Sequence, residues 1–194
     1  MNFLGHFYLS HHENGLLIGN FLADFVKGKR FEEYPVPIAE GILMHRQLDT
    51  FTDEHPAILN CTALLRPQFG KFSGILVDMY FDFYLASQWQ RFNSEGLALF
   101  AQKVYIKLNA KQHLYPLAAQ KSLWHMQHHD WLNAYAHAEG LGSAINGIAV
   151  RLSRRLQKPI SFDKAVSFLQ ENQQLLFKNF DTFFSDVQKF AEKY

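Results

Sequence analysis

The chain has a single cysteine, Cys61, in 194 residues. One thiol excludes an internal disulfide framework and any cysteine-rich zinc site, and it fits a reducing compartment. A cytoplasmic protein is therefore expected. No apolar run approaches the roughly 20 residues needed to span a bilayer. The start, Met1-Asn2-Phe3-Leu4-Gly5-His6, lacks the basic and then apolar regions of a signal peptide. There is no excess of one charge: the formal net charge is +1. That balance argues against general nucleic-acid binding, which usually needs a strongly basic domain. Phosphate loop, dinucleotide fingerprint and nucleophile elbow are all missing. Gly15 and Gly19 do not follow a strand and are no GxGxxG. Covalent catalysis has no candidate, since Cys61 shows no activating neighbour and reads as a core thiol.

Hydrophobic residues are plentiful at 48%, with 19 phenylalanines and 10 histidines. The phenylalanines predict an aromatic-rich core, and this composition is that of a globular chain. Apolar residues recur every three and four positions over most of the sequence, the helical period. Alternating strand patterns, long linkers and repeats are scarce or absent. A short segment at 2–10 is followed by helices at about 15–27, 38–51, 57–66 and 72–92. Others cover about 95–109, 117–137 and 142–156, and Ser161 caps a last one running to about 192. The expected fold is all-α, a single compact helical domain over residues 1–194.

Polar residues on apolar stripes carry the functional signal. In the helix at 38–51, Ile38, Ile42, Met44 and Leu48 draw the buried face, and His45 and Asp49 fall in its middle. They are i,i+4 neighbours, so their side chains can converge. Such a pair needs either an ordinary hydrogen-bond partner or a cation. The helix at 72–92 is apolar nearly all round, yet carries Asp78 and Asp82 four residues apart. No basic residue lies one turn from either, so a cation, protonation of one carboxyl, or a salt bridge to another helix must reconcile them. Asp24 sits among Phe21, Leu22, Phe25 and Val26, with Asn20 one turn before it. His6 lies inside Phe3-Leu4-Gly5-His6-Phe7. Taken together, these form a constellation of imidazoles and carboxylates without thiolates. That donor set suits Mn²⁺, Mg²⁺, Fe²⁺ or Zn²⁺, and such a cation can activate water and polarise a phosphoryl oxygen.

Two other groups compete. His129-Asp130 is a literal His-Asp doublet, and His125 and His129 are spaced i,i+4; a polar helix face explains them equally. Lys27, Lys29 and Arg30 follow Asp24 closely, and Arg46 adjoins His45. Arg151, Arg154, Arg155 and Lys158 make a second basic cluster. Solvated faces account for each, but the first group flanks the proposed metal site and suits an acidic or phosphorylated partner. The phenylalanines of the last helix, Phe177, Phe180, Phe183, Phe184 and Phe190, read as core or subunit interface rather than as a membrane-surface stripe.

Four ordered blocks bring a family into view. Residues 1–6 (MNFLGH), 19–28 (GNFLADFVKG), 41–53 (GILMHRQLDTFTD) and 77–85 (VDMYFDFYL), with the later 146–151 (NGIAVR), resemble the acyl carrier protein phosphodiesterase family. The resemblance implies an all-α fold related to HD-domain metal phosphohydrolases. It also implies hydrolysis of the phosphodiester between 4′-phosphopantetheine and a serine of holo acyl carrier protein. A divalent metal, preferably Mn²⁺, is implied as cofactor, and the acidic carrier protein as partner. His6, Asp24, His45, Asp49, Asp78 and Asp82 match the family's polar positions. Metal ligation is expected among these six, with Asp24, His45, Asp49 and Arg46 nearest the chemistry. Lys27, Lys29 and Arg30 are expected to meet the partner. The central pair is His-x-x-x-Asp rather than the adjacent His-Asp of the HD signature. A small-phosphoester hydrolase, a metal-storage protein and a helical interaction protein are the rival readings.

Overall fold

A computed structural model describes residues 1–194. Eleven α-helices and four short 3-10 turns succeed one another without a strand. The helices are α1 (Phe3–Ser10), α2 (Asn14–Leu22), α3 (Val36–Glu54), α4 (Pro56–Phe69), α5 (Ser73–Ser87) and α6 (Leu97–Asn109). They continue with α7 (Leu117–His128), α8 (Trp131–Ala134), α9 (Ala138–Leu156), α10 (Ala165–Glu171) and α11 (Gln173–Ala191). The all-α expectation holds, and one hydrophobic core runs from Leu4 in α1 to Ala191 in α11.

Three expected helices are shorter, each for a local reason. The helix predicted at 15–27 stops at Leu22. There the amides of Phe25 and Val26 turn back onto the Leu22 carbonyl, and Val26 is buried. Asp24 thus lies just past the helix rather than on it. The helix predicted to reach 92 ends at Ser87. Trp89 then folds inward and its indole N–H donates to the Glu95 carbonyl. The helix predicted at 117–137 breaks at Asp130, whose φ is +44°, a left-handed conformation in which Asn133 donates to its carboxylate. The last predicted helix divides at Asn172, whose side-chain amide donates to the Phe168 carbonyl.

α5 is the centre of the molecule. It packs against α1, α4, α9 and α11, as its nearly continuous apolar circumference requires. Phe180, Phe183 and Phe184 of α11 are buried, and Phe81 of α5 meets Phe180 edge-on at 5.5 Å. These rings bury on the order of 2 kcal/mol each, which fixes α11 to the core. Cys61 is buried too, and burial pushes its thiol up to about 12.

α2 and α3 approach more closely than side chains permit. A Cβ on Gly19 would lie 2.0 Å from the Ile38 carbonyl oxygen, and one on Gly41 would lie 2.4 Å from that of Leu16. These contacts are backbone to backbone, so only glycine fits at either position. Gly19 and Gly41 thus bring Asn20 of α2 against His45 of α3.

Candidate metal centre

Every early amide of α1 has a partner. The Asn2 side chain accepts from Phe3 N, and Asp82 of α5 accepts from Leu4 N at 2.8 Å and from Gly5 N at 3.2 Å. The fourth, His6 N, donates to the Asn2 carbonyl. A helix N-terminus carries partial positive charge, and a buried carboxylate beneath it is a favourable arrangement. Burial nonetheless pushes the Asp82 carboxyl up to about 7, with the two amides pulling the other way. Asp82 therefore anchors the helix that carries His6. Asp78, one turn earlier, makes an ion pair of 2.7 Å with the Met1 α-ammonium.

His6, His45 and Asp49 meet at the base of a cleft of about 260 Å³. Asp49 Oδ1 lies 3.2 Å from His6 Nε2, and Asp49 Oδ2 lies 3.1 Å from His45 Nε2. The two imidazoles stack with centroids 4.0 Å apart. His45 Nδ1 is 2.9 Å from Asn20 Oδ1. An amide oxygen only accepts, so Nδ1 carries the proton and a neutral His45 turns the lone pair of Nε2 into the cleft. That lone pair faces Asp49 and, at 3.8 Å, Asp24 Oδ1. A lone pair opposite carboxylates is unfavourable unless a proton on Nε2 or a metal cation stands between them. Burial and then the neighbouring His45 hold His6 down at about 4, so His6 is neutral. Burial pushes Asp49 up, but the His45 and His6 imidazoles, which donate to it when protonated, prevail and keep it below the ordinary carboxylate range.

The donor atoms of His6, His45 and Asp49 all lie within 4.8 Å of one another. Ligands at about 2.1 Å from a divalent ion stand roughly 3–4 Å apart, so these residues lie close to the spacing such an ion needs. Two neutral imidazoles and a carboxylate match Mn²⁺, Fe²⁺ or Zn²⁺ in chemistry. Elsewhere no three such side chains converge. His125 and His129 are exposed, and Asp130 is engaged by Asn133, so the His-Asp doublet forms no cluster.

Of the six positions expected for metal, the structure brings His6, His45 and Asp49 together, with Asp24 beside them. Asp78 lines the same cleft on the Met1 ammonium, while Asp82 lies beneath α1 and outside the lining. Arg46 departs from expectation. Its guanidinium donates to the Val26 carbonyl at 2.9 Å and rides 5.3 Å over Phe31, so it ties down the segment after α2 instead of lining the cleft. Lys27, Lys29 and Arg30 are exposed, and Arg30 pairs with Glu33 at 3.4 Å.

Sequence reasoning missed two polar lining residues of α2 and α3. Asn20 is 1% exposed, and its Nδ2 has no partner. Its signal was an amide on an apolar helix face, and the bond to His45 crosses helices and has no trace in sequence. Asp53 continues the i,i+4 row of His45 and Asp49 by one more turn and lines the cleft; burial pushes its carboxyl up.

The fold and site together define an all-helical protein with a histidine–carboxylate cluster that could hold a metal ion. A family model described as acyl carrier protein phosphodiesterase matches residues 1–187. The chain belongs to the acyl carrier protein phosphodiesterase family. Among its relatives is the acyl carrier protein phosphodiesterase of Serratia proteamaculans, 32% identical over 79% of this chain and 80% of the relative. That of Escherichia coli O6:H1 is 30% identical over the same shares, and that of Yersinia enterocolitica is 27% identical over 97% of this chain and 98% of its own. No solved structure matches the chain significantly. No helix is long and apolar enough to cross a membrane.

Proposed function

We propose that this protein hydrolyses the phosphodiester joining 4′-phosphopantetheine to a serine of holo acyl carrier protein. The products are apo carrier protein and free 4′-phosphopantetheine. The observation that carries the reading is the convergence of His6, His45 and Asp49 at the base of one cleft, in a chain of this family. His6, His45 and Asp49 would hold the cation, with Asp24 as a fourth donor or as base. A divalent ion, Mn²⁺ favoured, supplies an activated water and charge stabilisation at phosphorus. The relation to HD-domain phosphohydrolases belongs to this same reading.

The chain's own groups have separate tasks. Asn20 Oδ1 fixes the proton on His45 Nδ1 and so keeps Nε2 available. Asn20 Nδ2, buried and unpartnered, is the donor for a phosphoryl oxygen. Asp24, half-exposed at the cleft, accepts the proton of the attacking water. Arg46 acts through position, holding the strand of chain that carries Asp24 and Val26. The exposed Lys27, Lys29 and Arg30 meet the acidic carrier, and the reaction belongs in the cytoplasm with that partner.

Intact mass spectrometry of holo acyl carrier protein, incubated with the chelated protein with and without Mn²⁺, tests this. Loss of the phosphopantetheine mass only with metal is the expected result. An unchanged carrier, with metal bound, would turn the reading toward a small phosphoester. No loss and no bound metal would leave a helical interaction protein.

A further inference from the structure

A second cavity adjoins the cleft. It is a groove of about 580 Å³ between the start of α1 and helices α8 and α9. Asn2 and Phe3 line both spaces, so the groove and the cleft adjoin at the start of α1. Asn2 is held there firmly: its Nδ2 lies 2.8 Å from Met79 Sδ and 3.3 Å from Tyr135 Oη. Phe3 stands 6.3 Å from Trp131, and these rings with Tyr135 make an aromatic wall. The α9 wall opposite is low. Gly140, Ala144 and Gly147 present almost no side chain, and Arg151 and Arg154 close that face with cationic donors.

We propose that this groove receives the amide arm of the substrate, the pantetheine portion that leaves with the phosphate. The proposal rests on the function given above. With phosphorus at the metal centre, the carrier serine and the arm must depart in different directions. The groove is the cavity that shares Asn2 and Phe3 with the cleft. Its volume falls within the roughly 300–1,000 Å³ of sites that enclose small organic ligands. Its chemistry matches an uncharged, extended chain of apolar and amide segments. The aromatic wall suits the dimethyl end nearest the phosphate, and the arginine donors suit amide carbonyls. Lys27, Lys29 and Arg30 remain for the carrier protein itself.

Gly147 supplies the test. A Cβ built there meets nothing within 4 Å, so Gly147→Leu starts its side chain into open space at the groove. It also replaces a mid-helix glycine with a good helix former, so folding should not suffer. Steady-state hydrolysis of holo carrier and calorimetry of free pantetheine are measured on wild type, Gly147→Leu and Arg151→Gln. Mn²⁺ titration and thermal melts report on the metal centre and the fold. The expected result is pantetheine binding to wild type that Gly147→Leu abolishes. With it, KM for holo carrier should rise at least about tenfold in Gly147→Leu and a few-fold in Arg151→Gln, at unchanged Mn²⁺ affinity. Unchanged KM and kcat in Gly147→Leu, with wild type active, would overturn the groove assignment and leave the function standing. A raised KM without any pantetheine binding would also overturn it, since the groove would then touch the carrier's protein surface. If wild type cleaves no holo carrier, the function fails, and pantetheine calorimetry still decides the groove: binding lost in Gly147→Leu supports it, and no binding ends it.

Discussion

α3 and α5 carry the same pattern with different outcomes. Each has a polar pair one turn apart on a face the core should own: His45 and Asp49 in α3, Asp78 and Asp82 in α5. In α3 the two side chains converge, with His45 Nε2 3.1 Å from Asp49 Oδ2, and His6 joins them from α1. In α5 the pair divides. Asp78 pairs with the Met1 ammonium and Asp82 receives two amides of α1. An i,i+4 spacing aligns two groups, but the facing element decides whether they share a ligand. Facing α3 are another imidazole and Asn20; facing α5 is a helix N-terminus, which is itself a source of positive charge. The two helices are therefore parts of one device. α5 fixes α1, and α1 delivers His6 to α3.

The largest effect should come from the α3 side. Asp49→Ala removes the carboxylate shared by both imidazoles, and Asp49 is half-exposed, so the fold should survive. We expect kcat/KM on holo carrier to fall at least about 10³-fold, roughly 4 kcal/mol of transition-state stabilisation, and Mn²⁺ affinity to drop sharply in calorimetry. Retained activity in a folded Asp49→Ala protein would remove the metal-centre reading.

The α5 side should break differently. Asp82→Ala leaves the buried amides of Leu4 and Gly5 without acceptors, at about 1–3 kcal/mol each. Denaturant unfolding should show that loss in stability, with activity reduced through a displaced His6. Asp82→Asn keeps an acceptor oxygen and should be milder. It also has a pH signature. Folding raises the Asp82 carboxyl from 3.8 to about 7, so between those values the folded state binds more protons than the unfolded state. Stability then falls as pH rises from about 4 to about 7, by at most about 1.4 kcal/mol per unit. The metal-free protein should show that slope and Asp82→Asn should lack it; an identical slope in both would mean that Asp82 is ionised throughout.

These two helices also mark how far the sequence could be read. The 3.6-residue period showed the longer helices, because each buries an apolar stripe, and it put His45 and Asp49 on one face of α3; α1 read only as a short segment, and α8 and α10 were not separated from their neighbours. The helix ends were hidden where side chains stop them: the Trp89 indole on Glu95, the Asn172 amide on Phe168. Asp82 looked like a ligand because its partners are backbone amides, which no residue name reveals. Asn20 and the free space beside Phe3 were hidden for a similar reason. Both depend on which helices meet, and α2 and α3 meet through glycines.

That glycine contact allows a smaller and more selective perturbation. Gly19→Ala sets a methyl group 2.0 Å from the Ile38 carbonyl, so α2 must withdraw from α3. Overpacking of this kind costs about 1–3 kcal/mol. Asn20 would retreat from His45 as well, so kcat should fall more than the change in stability explains. Full activity in a destabilised Gly19→Ala protein would show that the Asn20–His45 bond is dispensable.

The smallest effects belong to the basic residues, and they separate two roles that sequence alone merges. Lys27, Lys29 and Arg30 are exposed and near the end of α2, whereas Arg46 is committed to the Val26 carbonyl and the Phe31 ring. Neutralising the first three together should raise KM for the acidic carrier by about 3–10-fold at low ionic strength. The difference from wild type should fade with added salt, because exposed charges are screened within about 10 Å at 0.1 M. Arg46→Ala should instead cost about 1 kcal/mol of stability, from a lost hydrogen bond and ring contact, with little change in salt dependence. Parallel KM measurements over a salt series distinguish the two. If Arg46→Ala shows the salt-sensitive KM and the triple variant does not, the carrier approaches over α3 rather than over the end of α2.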